Sequence, residues 1–109
     1  MEALLLIVTN LPDTTSAESL ATHLVDEKLA ACVNILAPCR SVYRWQGGVE
    51  SANEVPLLIK TTAAAYPALD AAILARHPYE LPEIIAVSVQ RGLPAYLDWI
   101  ASATETRSC

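Results

Sequence analysis

The chain has 109 residues, 53% hydrophobic and 17% charged, with twelve acidic against seven basic side chains and a net charge of -5. That length, free of low-complexity tracts, makes a single domain spanning 1–109, and the acidic balance lacks the electropositive footprint of a nucleic-acid binder. No apolar run approaches the roughly 20 residues that cross a bilayer, so a cytoplasmic protein with neither nucleic acid nor membrane among its partners is expected.

The run from Leu4 to Val8 is apolar and ends β-branched, as a strand buried on both faces does. Asn10-Leu11-Pro12-Asp13 reads as a turn. Thr15-Ser16-Ala17-Glu18 fits a capping box, and Ala17, Leu20, Ala21, Leu24, Val25 and Leu29 then repeat at helical spacing, predicting a helix to about Ala30. Cys32 to Leu36 resumes strand character and Ser41 to Trp45 continues it. Pro38 cannot donate to a ladder, so it marks a bulge or an edge in one long bent strand.

Gln46-Gly47-Gly48 supplies positive-φ residues for a hairpin turn, and Val49 to Thr61 returns as the second arm. Arms of this length project beyond a small core, and the simplest surface to pack their outer half is a neighbouring subunit. A second helix begins between Thr62 and Pro67, with Tyr66, Leu69, Ala72 and Ile73 inward. It ends near Arg76, because His77 precedes Pro78 and is pushed out of the α region. Glu83 to Val89 reads as a further strand, and Pro94 starts a last helix carrying Tyr96, Leu97, Trp99 and Ile100. A frayed tail is expected from Ser102 to Cys109.

The resulting fold class is α+β: a ferredoxin-like βαββαβ sandwich with an extra C-terminal helix and a long hairpin between the second and third strands of the pattern. Both crossover helices then lie on one face of an antiparallel sheet. A doubly wound sheet is disfavoured because no helix separates the two arms of the hairpin.

Chemistry concentrates in HPYELPEII at 77–85, where two prolines bracket an imidazole, a phenol and two carboxylates. His77 reads either as a helix C-terminal cap or as a ligand, and Glu80 and Glu83 either as solvated carboxylates or as site groups. Cys32 opens an apolar strand, where cysteine behaves as a small hydrophobe unless a metal claims its thiolate. The three cysteines, Cys32, Cys39 and Cys109, form no CxxC pair and read as free thiols. His23 reads as surface. Tyr43, Trp45 and Tyr79 read as interface packing or as the lining of a ligand site. No P-loop, GxGxxG, GxSxG or HExxH occurs, so neither an enzyme nor an organic cofactor is expected.

Five blocks carry a resemblance: LAACVN at 29–34, SVYRWQG at 41–47, LIKT at 58–61, HPYELPEI at 77–84 and YLDW at 96–99. In this order they resemble the signature blocks of the CutA divalent-cation tolerance family, a likeness running from about Leu4 to Ile100. The resemblance implies a tight homotrimer joined through the long hairpins, a PII-like architecture, and a link to tolerance of divalent metals, copper in particular. It implies copper or another divalent metal as the ligand, held by Cys32, His77 and Glu83. Some relatives carry a further cysteine where this chain has Thr9, and most carry a bulky residue where it has Arg44. The shared architecture also implies a PII-like sensor, whose intersubunit cleft would be lined by Arg44, Trp45, Lys60 and Tyr79, or a trimeric scaffold.

Overall fold

A computed structural model describes residues 3–105, in the order β1 (Leu4–Leu11), α1 (Thr14–Asp26), β2 (Cys32–Ile35), β3 (Cys39–Trp45), β4 (Gly48–Thr62), α2 (Tyr66–Arg76), β5 (Ile85–Val89) and α3 (Pro94–Ala103). The pattern is ferredoxin-like with the extra C-terminal helix in place. All strand pairs are antiparallel: β4 lies between β2 and β1, β5 borders the other side of β1, and β3 pairs with the outer half of β4.

Pro38 marks a bulge. Ile35 faces Leu57, whereas Cys39 faces Glu54. The three residues 36–38 therefore oppose only the two residues 55–56, which places one extra residue in this arm and splits the expected single strand in two. Leu36 N–H still reaches the Pro56 carbonyl at 3.0 Å. At the far end Gln46 (φ 48) and Gly47 (φ 83) make the two-residue turn, the positive-φ pair that matches the twist of a hairpin. Gly48, expected in that turn, instead begins β4 opposite Trp45.

The ladder also lengthens β1. Thr9, Asn10 and Leu11 pair with Leu57, Pro56 and Val55, so the expected turn starts only after Leu11. Alternation sends Ile7, Thr9 and Leu11, with Val55, Leu57, Ile59 and Thr61, to one face. There α1 contributes Ala17, Leu20 and Leu24, and α2 contributes Leu69 and Ile73. Each fully buried Leu or Ile contributes roughly 1.5–3 kcal/mol. Tyr66 and Ala72 pack at the rim of this cluster. The opposite face is covered at one end, where Ile100 and Leu97 of α3 pack on Leu4, Ala31 and Val89.

Both ends of α1 differ from expectation. Asp13, with its extended backbone, is the N-cap, and its carboxylate accepts the Ser16 N–H at 2.7 Å; Thr15 already lies inside the helix. The helix stops at Asp26 because Lys28 turns left-handed (φ 58), with Leu29 N–H donating to Leu24 O and Lys28 N–H to Val25 O. This is a Schellman closure with lysine at the position that favours glycine. Leu29 reaches the core from that turn, and Val25 is exposed. β5 starts at Ile85, two residues later than expected. The tail expected to fray from Ser102 is helical to Ala103, and the Thr104 hydroxyl is buried while donating to Ile100 O at 3.0 Å. Residues 106–109 of that expectation, Cys109 included, lie outside the described residues.

Candidate functional site

The corner between α2 and β5 is built on His77. Its N–H closes α2 on Ile73 O at 2.8 Å, and its backbone then turns extended (ψ 133), as a residue before proline must. His77 as a whole is 9% exposed. Nδ1 accepts the Tyr79 N–H at 3.1 Å, which places the ring proton on Nε2, and Nε2 donates to Asn10 O at 2.6 Å. The Asn10 side chain in turn donates to Glu83 Oε1 at 3.0 Å. His77 and Glu83 thus meet on Asn10, one at its carbonyl and one at its amide. Glu83 is aligned by a neighbour, while both nitrogens of His77 are already engaged.

Cys32 lies elsewhere. It pairs with Lys60, which pairs with Leu6 on the other side. Asn10 sits four residues further along β1, about 13 Å at ~3.3 Å per residue, and two strands across. The Lys60 ammonium donates to Asn34 Oδ1 and lies 3.9 Å from Cys32 Sγ. Among the described residues no three His, Cys, Asp or Glu side chains converge as a metal site. The expected set of Cys32, His77 and Glu83 therefore does not fit a metal ion within one chain, because the ladder register separates the thiol from the corner.

The position occupied by Thr9 does not help. Thr9 pairs with Leu57 and Cys32 with Lys60; positions 57 and 60 point to opposite faces of β4, so a cysteine at position 9 would enter the helix-covered core. There the Thr9 hydroxyl is fully buried with no hydrogen-bond partner.

A groove of about 1080 Å³ opens between the hairpin and the corner. Tyr43, Trp45, Glu50 and Glu54 line one side, and Tyr79, Glu80, Leu81 and Glu83 the other. Four carboxylates and three aromatic rings line it, with no Lys, Arg or His. Glu54 is only 9% exposed. Burial pushes the Tyr79 phenol up to about 12, reinforced by the negative charge of Glu54 and a hydrogen bond to it, with smaller contributions from Tyr43 and Asp13. A phenol that donates to a carboxylate resists ionisation.

The expected cleft set divides. Trp45 and Tyr79 share this groove. Arg44 is outside the lining; strand alternation sets it on the face of the hairpin that carries Arg40, which donates to Asn53 and Ser51 at 3.3 and 2.8 Å. Lys60 lies six residues along β4 from Glu54, about 20 Å away. Asn10, Glu50 and Glu54 were missed by sequence reasoning, because single polar residues inside strands carry no motif.

The antiparallel ferredoxin-like sheet, its projecting hairpin and the proline-bounded corner define a small α+β protein whose functional groups gather where hairpin and corner face each other. The chain belongs to the family described as CutA1 divalent ion tolerance protein, matched over residues 5–103. It is 45% identical over 104 residues to the divalent-cation tolerance protein CutA of Thermus thermophilus, covering 95% of this chain and 99% of that one. It is 40% identical to mouse protein CutA over 97 residues, which is 89% of this chain and 55% of the mouse protein's length. The crystal structure of CutA from Xylella fastidiosa superposes with a TM-score of 0.91 at 48% identity, covering 94% of this chain and 98% of that one.

Proposed function

We propose that this protein acts as a homotrimer in tolerance of divalent cations, copper among them, and that metal is held between subunits, in the cytoplasm and without enzymatic turnover. Family membership supports the link to metal tolerance. The observation that carries the assembly is the sheet face turned away from α1 and α2. Beyond the end covered by α3, Leu6, Val8 and Leu58 lie beside Ile85 and Val87, which remain 51% and 49% exposed. A contiguous apolar sheet face of this kind marks a protein contact. The projecting edge of β3 gives the same partner a ladder to extend.

Light scattering at micromolar concentration tests the assembly: a threefold mass is expected, and a monomer overturns it. Calorimetric titration with Cu(II), and with Cu(I) under reducing conditions, tests the metal. Saturable binding weakened by Cys32→Ala and by Glu83→Gln is expected, and no saturable binding to the trimer overturns the metal reading.

A second reading, a PII-like small-molecule sensor, is favoured by one observation: the groove between hairpin and corner, with its aromatic walls. A thermal-shift screen of metabolites that moves the melting point for none of them removes its support.

A further inference from the structure

We propose that the groove between the hairpin and the 78–85 corner is a binding site for a small organic cation bearing ammonium or guanidinium groups. This deepens, and rests on, the small-molecule reading of that groove; Glu83 is shared with the metal reading, whereas Glu54 belongs to this site alone. The starting observation is Glu54. Its side chain is nine-tenths buried and lines the groove. A carboxylate has about four lone-pair positions, and the Tyr79 phenol is a polar neighbour on the facing wall of the lining. No basic side chain lines the groove with it. A buried carboxylate with its charge uncompensated is costly unless a cation arrives.

The surroundings specify the kind of cation. Glu50, Glu80 and Glu83 add three further carboxylates along both walls. No three carboxylates converge on one point among the described residues, so the negative charge is spread along a groove rather than focused as a divalent metal requires. Spread charge matches an elongated cation with separated nitrogens. Tyr43 and Trp45 stand beside these carboxylates on the hairpin wall, and aromatic faces attract ammonium and guanidinium groups within about 6 Å. Leu81, Pro82 and Ile84 add an apolar stretch of wall that suits a methylene chain.

Calorimetric titration of the full-length protein with spermidine, agmatine and butylammonium, against glutamate and butanol at matched ionic strength, tests the assignment. Saturable binding of the cationic probes alone is expected, weakened at least tenfold by Glu54→Gln, with light scattering and circular dichroism of that variant unchanged. Absence of saturable binding by every cationic probe overturns the proposal, as does affinity indifferent to Glu54→Gln. Saturable binding of the anionic or neutral probe alone leaves the groove a ligand site but overturns the cation. A change of assembled mass in Glu54→Gln with probe affinity retained assigns the carboxylate to a subunit contact, and equally overturns it.

Discussion

His77 Nε2 lies 2.6 Å from the carbonyl oxygen of Asn10, 67 residues earlier in the chain, and ties the end of α2 to the end of β1. The same ring accepts the Tyr79 N–H. His77→Ala leaves a carbonyl and an amide of a largely buried corner without partners, and a group so orphaned costs about 1–3 kcal/mol. A lower urea midpoint at unchanged slope is the expected result. Wild-type stability in this variant would show that the imidazole is free for other work.

Thr9→Val removes a buried hydroxyl that has no partner while keeping the branched shape. Relief of that penalty raises stability by about 1 kcal/mol. Thermal unfolding of the variant at neutral pH reads the gain, and a loss of stability would mean that the hydroxyl has a partner in solution.

Lys28 holds the left-handed position that closes α1. A non-glycine residue there is strained by about 1–2 kcal/mol, part of which glycine returns to the unfolded chain as extra freedom. Lys28→Gly is expected to be stabilising by about 1 kcal/mol or less in chemical denaturation, whereas Lys28→Val, with a β-branched side chain, is expected to be destabilising.

Burial first, and then the charge of Glu54, push the Tyr79 phenol up to about 12 from an ordinary 10.0. The folded state therefore favours the protonated phenol. Its contribution to stability is complete below pH 10, and is lost as pH rises towards 12. Ultraviolet titration of phenolate absorbance checks the shift, and Tyr79→Phe should flatten the fall in stability across that window. A Tyr79 signal that titrates with the exposed tyrosines contradicts the contact with Glu54.

At acid pH the relevant group is Asp13. Its hydrogen bonds from Ser16, backbone first, hold its carboxyl below 3.8. Stability from this cap is present above that value and is lost as pH falls through the lower folded one. Asp13→Ala should lower the thermal midpoint at neutral pH and should matter less in acid.

Much of the fold was legible because local chemistry and tertiary structure agree. The spacing of Ala17, Leu20, Ala21 and Leu24 marks one helical stripe, and those residues are buried. The end of α2 followed from a steric rule about the residue before proline, which operates without any partner. Pro38 announced a break in the ladder by its missing donor, although only the pairing with β4 separated a bulge from an edge. The start of α1 was less legible, since Asp13 and Thr15 both satisfy a cap pattern and backbone geometry selects Asp13.

The candidate site was hidden more deeply. HPYELPEII shows its ligand-capable side chains, yet their roles depend on Asn10, a residue with no motif that lies 73 positions from Glu83. Within one chain, Cys32 and His77 stand apart for the same reason. A one-residue change of register turns a side chain to the other face of a sheet, and four residues along a strand carry it about 13 Å away.

By itself the sequence determined the element types, the helix stop at His77, the turn at the hairpin tip and the family, because each rests on local sterics, periodicity or block order. Only the tertiary structure decided which side chains meet: Asn10 with His77 and Glu83, Glu54 with Tyr79, and Cys32 with Lys60 rather than with the corner. Those meetings are set by strand register across long sequence separations, and register is a property of the whole ladder that no short stretch contains.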